Sequence, residues 1–399
     1  MKVLLVNKFL YPKGGSETYL FKLGECLAEK GHKVEYFGMD DEKRIVGNSV
    51  NSYTSNMDFH NNSLTDKLTY SIKTIYSKEA RKKIRLVLDD FQPDVCHLNN
   101  FNYQLTPSII LEIVKWRNET GRKCKIVYTA HDLQLVCPNH LMLNPLTKEI
   151  CDKCIGGNYL NCIKGRCVHG SAVKSAVGAA EAMIWKIYKV YKYIDIIISP
   201  SYFLAEKLSH NSNLKNRITV MHNFVESGYG FNTEKSDYIL YFGRYSEEKG
   251  INTLLKAIDK LPQYIFVFAG SGPLEDEINK RKNVRNIGFL NSESLARVIS
   301  EARFTVVPSE CYENCPYAVI ESQIYSTPVL GADIGGIPEL IECGVTGELF
   351  ESGNEDELVE TIVDLMNDEK KVSQYSKNCK SSSFFGIEEY YKNLIKLYE

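Results

Sequence analysis

The stretch YILYFGRYSEEKGINTLLKAI, residues 238–258, contains the unit that decides the fold. Its apolar run, residues 238–242, is typical of a buried strand, and a helix is expected near residues 250–260. Arg244 and Lys249 lie in the loop between them. Because short strands that alternate with helices indicate a parallel sheet wrapped by helices, this loop should lie at the carboxyl end of a strand.

The same alternation extends in both directions from this unit. Downstream, strands are expected at 264–270, 284–288, 304–308 and 329–330, and helices near 274–281, 292–301, 316–325 and 336–342. Upstream, strands are expected at 3–7, 33–37, 94–98 and 125–130, with 194–199 as the last strand of that sheet, and helices at 16–30 and near 79–90, 106–118 and 173–192. The join between the two series, residues 221–237, is polar and contains glycine, as a linker does.

Two domains follow from this organisation and from the chain length. The chain has 399 residues, of which 44% are hydrophobic, and one core rarely grows past about 250–300 residues. We therefore expect an α/β protein with two Rossmann-like, doubly wound domains, 1–225 and 226–380, that face each other across a cleft. A C-terminal helix within 381–399 could return to the first domain. Such sheets bind ligands at the carboxyl ends of their strands.

Composition argues against nucleic acid as a partner. Lysine and arginine number 48 against 50 aspartates and glutamates, so the chain has no global basic field. Residues 1–15 lack the apolar core and the cleavage site of a signal peptide, and no stretch reaches the ~18 apolar residues of a membrane span. We expect a cytoplasmic protein. The basic and aromatic stretch 164–193 could touch a membrane surface, or its lysines could simply face water.

Five of the 12 cysteines are close together in the sequence. Cys151 and Cys154 have the two-residue spacing of a zinc knuckle. Cys162 and Cys167 follow them, and Cys137 lies upstream. In a reducing compartment, such a cluster favours a metal site over a disulfide framework. Four thiolates from these five could close a structural zinc site; unligated thiols, a disulfide or an iron–sulfur site are the alternatives.

Two glutamates frame an apolar run in YENCPYAVIES, residues 312–322. Pro316 suits the first turn of a helix, which places Glu313 in the preceding loop and Glu321 inside the helix. The helix start has free N–H groups and a positive dipole end, which favour phosphate. Carboxylates accept hydroxyl protons and repel phosphate, so the pair should flank an anion and bind hydroxyl-rich rings on either side of it. A nucleotide sugar fits this pattern.

The upstream loops supply cations and glycines. The guanidinium of Arg244 and the ammonium of Lys249 converge on one loop, an arrangement that can hold a diphosphate without a metal ion. In AGSGPLE, residues 269–275, Gly270 and Gly272 follow a strand and permit close approach of the backbone to a ligand.

Taken together, the motifs resemble those of the retaining glycosyltransferases of family 4, which have the two-domain GT-B fold. The second half carries FGRYSEEKG (242–250), AGSGPLE (269–275), VRNIGFL (284–290), VVPSECYENCPYAVIESQIYSTPVLGADIGGIPELI (306–341) and GVTGELF (344–350). The first half carries KGGSETYLFKLGECLAEKGHKV (13–34) and TAHD (129–132). The resemblance covers most of the chain.

The resemblance implies roles for the side chains of the second half. Arg244 and Lys249 would hold the donor diphosphate. Glu321 would accept the ribose hydroxyls, and Glu313 would accept hydroxyls of the transferred sugar. The chain around Leu290 would meet the base.

Further contacts implied by the resemblance come from backbone and from the first half. The N–H groups of Cys315, Tyr317 and Ala318 would line the sugar and the β-phosphate; many relatives have glycine in place of Pro316, so one N–H is absent here. His131 would reach the transferred sugar from the other domain. Gly14 and Gly15 would let the first loop approach phosphate and acceptor.

The expected function is a retaining, metal-independent sugar transfer from a UDP- or GDP-sugar to a carbohydrate or lipid-linked glycan acceptor, in surface polysaccharide or glycoconjugate assembly. The alternative is a non-catalytic nucleotide-sugar binding protein or partner subunit. A glycosidase pair of carboxylates would leave Arg244 and Lys249 without a role. A Rossmann dehydrogenase is disfavoured because Gly14 and Gly15 lack the GxGxxG continuation.

Overall fold

The computed structural model describes residues 1–56, 73–225, 235–379, 384 and 386–399. These residues form two compact units. The first contains Met1–Met221 and Ile387–Glu399, and the second contains His222–Gly386. The expected boundaries at 225/226 and 380/381 adjoin residues 226–234 and 380–383, which lie outside the described residues.

The described part of the first unit contains a parallel sheet of six strands in the order β2-β1-β3-β4-β5-β6. Its strands are β1 (Lys2–Val6), β2 (Lys33–Phe37), β3 (Val95–Leu98), β4 (Lys125–Thr129), β5 (Ile196–Ser199) and β6 (Ile218–Val220). In register, Val3 lies between Val34 and Val95. Most residues of β1, β3 and β4 are fully buried, because helices cover both faces of a parallel sheet.

Helices follow most of these strands. They are α1 (Gly15–Glu29), α2 (Lys78–Phe91), α3 (Ser108–Thr120), α4 (Leu160–Lys164), α5 (Ala172–Tyr188) and α6 (Tyr202–Ser209). Helix α1 buries Tyr19, Leu20 and Leu23 on one face and ends before Gly31, whose φ of +82° favours glycine. Among the described residues, no helix combines the length and the apolar character that crossing a bilayer requires.

One strand of this sheet was not expected from the sequence. The prediction that residues 194–199 form the last strand is wrong, because β6 pairs with β5 beyond it. The three residues of β6 are each only half-buried. Its sequence, ITV, alternates apolar and polar residues, but three residues are too few for the alternation over about four to eight by which a strand is recognised.

The described part of the second unit contains a second parallel sheet of six strands, in the order β12-β11-β10-β7-β8-β9. The strands are β7 (Tyr238–Arg244), β8 (Ile265–Ser271), β9 (Val284–Gly288), β10 (Phe304–Val307), β11 (Val329–Ala332) and β12 (Gly347–Phe350). The helices are α7 (Ile251–Lys260), α8 (Glu275–Asn279), α9 (Ser292–Glu301), α10 (Tyr317–Ile324), α11 (Glu355–Asn367) and α12 (Glu369–Cys379). The predicted α/β class and the pair of Rossmann-like sheets are confirmed.

The predicted helix near residues 336–342 is wrong: this segment forms turns. Gly335 has a φ of +63°, and a Cβ there would lie 2.5 Å from the backbone oxygen of Glu313. The N–H of Gly336 donates to that same oxygen, at 2.6 Å. The segment is therefore held against the loop of Glu313, and Pro338 removes a further N–H that a helix would use.

The last helix, α13 (Ile387–Tyr398), belongs to the first unit. The hydroxyl of Tyr390 is 2.7 Å from that of Tyr19 on α1, and the hydroxyl of Tyr398 is 2.6 Å from Nδ1 of His97 on β3. The hydroxyl of Thr129 joins the two pairs, at 3.1 Å from Tyr19 and 2.7 Å from Nε2 of His97. The chain that leaves the second unit thus ends in the buried core of the first.

Candidate functional site

In the second unit, the loops after neighbouring strands meet at one edge of the sheet. Strands β7 and β8 are parallel and pair along their full length, with Arg244 opposite Ser271 at their carboxyl ends. Arg244 is exposed there. Strand β10, which pairs with the other side of β7, ends at Val307 and leads into the loop of Ser309.

Lys249 and Glu313 are in direct contact at this edge. The ammonium of Lys249 forms an ion pair with Oε1 of Glu313, and the hydroxyl of Ser309 donates to the same oxygen at 2.8 Å. The side chain of Lys249 is one-third exposed and that of Glu313 is 14% exposed. Burial alone would lower the pKa of Lys249, but Glu313, together with Cys311 and Glu248, outweighs burial and raises this pKa, which keeps the ammonium charged.

Gly270 and Gly272 lie where the loops after β7 and β8 touch. A Cβ at Gly270 would lie 1.9 Å from the backbone oxygen of Gly243, and one at Gly272 would lie 2.4 Å from that of Tyr245. Gly270 also has a φ of +151°. The packing of the two loops against each other therefore already requires glycine at both positions.

Helix α10 begins beside this edge. Pro316 precedes its first residue, Tyr317, and Ala318 is half-buried in the first turn. Cys315 is buried, and its backbone oxygen accepts a 2.9 Å hydrogen bond from the side-chain amide of Asn223. Sequence reasoning missed Asn223; its only signal was its position at the start of the polar join.

Glu321 lies within α10, where burial raises the pKa of its carboxyl to about 7. Leu290 follows β9, is half-buried, and packs against the apolar cluster that contains Phe242 and Ala269, as Ala318 also does. The structure therefore brings Leu290 to the same cluster as the first turn of α10.

In the first unit, the strand ends form a second cluster of polar groups. His131 follows β4, and its Nε2 is 2.9 Å from Oδ1 of Asn99, which follows β3. The ring of Tyr19 lies edge-on to that of His131, with centroids 5.0 Å apart. Burial lowers the pKa of His131 to about 4, so the imidazole is neutral at pH 7. Gly14 and Gly15 are exposed at the start of α1.

Several members of this cluster were missed in the sequence. Asn7 follows β1, donates to Oε1 of the buried Glu17 at 3.0 Å, and accepts from the N–H of Asn100 at 3.0 Å. Lys8 comes next, and burial lowers its pKa although Asp132 and Glu17 oppose that shift. The signal was present: Asn7, Lys8 and Asn100 each come within two residues of an apolar strand, at the edge where parallel sheets bind ligands.

The cysteine segment forms part of a separate buried cluster in the first unit. Cys154, Cys162 and Cys167 pack there with Tyr159 and Ala179. All 12 cysteines are free thiols. Among the described residues, no group of three or more histidine, cysteine, aspartate or glutamate side chains is arranged to hold a metal ion.

The remaining two cysteines of the segment differ in burial. Cys137 is buried and Cys151 is half-buried. Burial raises the pKa of Cys137, like that of Cys162, to about 12, so these thiols are protonated at pH 7.

Comparison with known proteins covers both units. The family model Glycosyltransferase Family 4 matches residues 13–228, and the model Glycosyl transferases group 1 matches residues 230–382. An uncharacterized glycosyltransferase of Methanocaldococcus jannaschii is 31% identical over 212 residues, which are 51% of this chain and 59% of that protein. The chain thus spans less than two-thirds of the length of this curated relative.

Solved structures match over the whole chain. Sucrose-phosphate synthase from Thermosynechococcus elongatus has a TM-score of 0.71 at 17% identity and covers 100% of this chain and 98% of its own. Anabaena HepE in complex with UDP has a TM-score of 0.68 at 16% identity, with 100% and 99% covered. At such identities these similarities establish the fold.

Proposed function

The chain belongs to glycosyltransferase family 4, and on that basis we propose that it transfers a sugar from a nucleotide diphosphate sugar to a carbohydrate or lipid-linked glycan acceptor. We propose that the reaction retains the anomeric configuration and needs no metal ion. The observation that carries the proposal is the contact of Lys249 and of Ser309 with the carboxylate of Glu313, beside Arg244 and the start of α10.

The cations would bind the leaving group. Arg244 is exposed at the end of β7 and Lys249 is kept charged by Glu313, so both can approach a diphosphate at this edge. The dipole of α10 adds a partial positive charge at its first turn. Together these groups would stabilise the negative charge that grows on the diphosphate as it departs, which is the work that a metal ion does in other enzymes.

The two carboxylates would bind hydroxyl groups on either side of the diphosphate. Glu313 is already oriented by Ser309 and would accept hydroxyls of the transferred sugar. Glu321 would accept the ribose hydroxyls, and the backbone near Leu290 would meet the base. The N–H groups of Cys315, Tyr317 and Ala318, together with Gly270 and Gly272, would line the phosphates and the sugar.

His131 would bind the transferred sugar from the first unit. Because its pKa is low, the imidazole of His131 is neutral at pH 7. It would therefore act as a hydrogen-bonding group and not as a charged general acid. Gly14 and Gly15, exposed before α1, would leave room for phosphate and acceptor.

The proposed step breaks the bond between the sugar C1 and the phosphate oxygen, through an oxocarbenium-like state. The acceptor oxygen bonds to C1 on the face that the phosphate leaves, and its proton passes to the departing phosphate. The products are the glycosylated acceptor and a nucleoside diphosphate. No side chain of the protein then needs to act as a base, and the protein contributes binding and electrostatic stabilisation.

The donor and the acceptor are proposed only as classes. HepE was solved with UDP and with UDP-glucose, so UDP-sugars are the first donors to test and GDP-sugars the second. The acceptor would be a carbohydrate or a lipid-linked glycan, as used in surface polysaccharide or glycoconjugate assembly.

The test is release of nucleoside diphosphate from a panel of UDP-, GDP-, ADP- and dTDP-sugars, with product configuration determined by NMR. We expect slow donor hydrolysis without acceptor, α-linked product from an α-linked donor, and the same rate in EDTA as in Mg²⁺. Donor binding, seen as a thermal shift, without any turnover would instead support the non-catalytic binding protein. Loss of activity in EDTA that Mg²⁺ restores would overturn metal independence.

We also propose that zinc binds in the cysteine segment. Cys154, Cys162 and Cys167 share one buried cluster. Cys137 lies near it, since, in addition to burial, the charge of Cys154 raises the pKa of Cys137 and the charge of Cys137 raises that of Cys162. Four of these thiolates would bind one zinc ion. Zinc would also lower the pKa of these thiols, which burial now raises.

A further inference from the structure

Helix α5 presents an apolar face to the solvent. The exposed fractions are 73% for Val173, 71% for Ile187, 66% for Tyr188 and 38% for Met183. Large aliphatic and aromatic side chains exposed to this extent along one helix are unusual on a protein surface that faces only water. We call this face the α5 stripe.

The stripe is continuous along the helix. Val173, Val177, Ala180, Ile184 and Ile187 follow one another at intervals of three or four residues, so they share one side of α5. Val177, Ala180 and Ile184, in the middle, are half-buried. The stripe therefore runs over nearly the full helix, which is about 25 Å long for its 17 residues.

The opposite side of α5 anchors the helix to the first unit. Ser175, Gly178, Ala179, Glu181 and Trp185 are buried there, and the indole N–H of Trp185 donates to the backbone oxygen of Ile75 at 3.1 Å. The apolar stripe is consequently exposed on a helix that is already packed, and it is not a core face left open by a detached helix.

Positive charges border the stripe. Residues 164–193 contain six basic residues and one acidic residue, Glu181, which is buried on the inward side. The basic residues, all exposed, are Lys164, Arg166, Lys174, Lys186, Lys189 and Lys192. Lys174 follows Val173 at the start of the stripe, and Lys189 and Lys192 come just after its end. The ammonium of Lys186 donates instead to the backbone oxygen of Gly156, at 3.0 Å.

We propose that α5 lies in the interface of an anionic lipid bilayer, with the α5 stripe among the acyl chains and the lysines at the level of the phosphates. An amphipathic helix with a basic border and an interfacial aromatic such as Tyr188 has the chemistry that this location requires. A second copy of the chain is disfavoured as the occupant, because it would bring the same lysines at the ends of α5 against these. The proposal goes beyond the proposed function and uses none of its donor-binding residues.

Vesicle sedimentation tests the proposal. The full chain should sediment with vesicles of phosphatidylcholine and phosphatidylglycerol and stay in solution with phosphatidylcholine alone. The variant Val173→Ser/Ile187→Ser, which shortens the stripe, and the variant Lys174→Glu/Lys192→Glu, which replaces two lysines at its ends by carboxylates, should each weaken binding about tenfold or more. Both should keep the parent's rate of donor hydrolysis, which shows that they fold.

Matched controls lie on α2. Leu86→Ser, at a 49% exposed leucine, and Lys82→Glu, at an exposed lysine, should bind anionic vesicles like the parent. Equal binding by the α5 variants and these controls would overturn the proposal. So would a dimer in solution that Val173→Ser/Ile187→Ser dissociates, because the stripe would then be an interface between two copies.

Discussion

Lys249 and Glu313 are 64 positions apart in the sequence, and their contact concentrates the chemistry of the second unit in one place. The carboxylate of Glu313 raises the pKa of Lys249. In turn, the ammonium of Lys249 and the hydroxyl of Ser309 both bond to Oε1 of that carboxylate and orient it. The sequence predicted a role for both residues but predicted no contact between them. Local patterns carry no information on which strand-end loops meet, because that depends on strand order.

Substitution of Lys249 tests the leaving-group role. Lys249→Ala should lower kcat about a hundredfold, because one charge that stabilises the departing diphosphate is lost. Lys249→Arg keeps the charge and should lose far less. Lys256→Ala, at an exposed lysine of α7, is the matched control and should leave kcat unchanged. The measurement is steady-state release of nucleoside diphosphate, and parental turnover by Lys249→Ala would refute the role.

The pH dependence of donor binding tests Glu321. Burial raises the pKa of this carboxyl to about 7, so it gains a proton as the pH falls through 7 and then accepts hydroxyl protons poorly. The Kd of the sugar nucleotide should therefore rise up to about tenfold between about pH 8 and pH 6, as calorimetry would measure.

Two variants make the pH test specific. Glu321→Gln cannot titrate and should bind the donor weakly with a Kd that hardly changes over this range. Glu360→Gln, at an exposed position of α11, should keep the parental profile. A parent profile as flat as that of Glu321→Gln would show that this carboxyl does not bind the donor.

Among the helices and strands, those with a strong local sequence pattern have the predicted bounds, whereas elements that depend on distant neighbours were missed or wrongly predicted. The strand at 284–288 and the helix at 292–301 have the predicted bounds, because the apolar spacing and the cap Asn291 are local signals. Strand β6 and the turns at 336–342 depend on neighbours: β6 on its pairing with β5, and the turns on Glu313.

The cysteine segment allows a test at the level of one element. Untagged protein should contain about one zinc per chain by elemental analysis, because Cys154, Cys162 and Cys167 already share one buried cluster. Cys154→Ser should lose the zinc and lower the Tm, whereas Cys343→Ser, at the exposed cysteine of the second unit, should change neither. Protein without bound zinc would favour unligated thiols.

At the scale of the whole molecule, the first unit is built from two separate segments of the sequence, with the second unit between them. The first unit is completed by α13, which comes after the second unit and places Tyr390 and Tyr398 in a buried hydrogen-bond network with Tyr19 and His97. Such a network leaves costly unsatisfied groups if one member is removed. The stability of the first unit should therefore depend on the last residues of the chain.

Ending the chain at Gly386 tests this dependence. The loss of Tyr390, Leu394 and Tyr398, all buried, should destabilise the first unit by several kcal/mol, at about 1.5–3 kcal/mol for each large apolar side chain. Hydrogen exchange should become faster in α1 and β4 and stay unchanged in β7 and β8. Lys392→Ala, at an exposed residue of α13, should exchange like the parent. Unchanged protection of α1 in the shortened chain would contradict the expectation.

The sequence by itself determined the two series of alternating strands and helices, the family, and the residue types at the strand ends, because apolar periodicity, caps and short motifs act over a few neighbouring residues. Only the tertiary structure decided that Lys249 and Ser309 both contact Glu313, that Asn99 contacts His131, and that α13 completes the first unit. These contacts join distant parts of the chain. They result from strand order and packing, which no local pattern encodes.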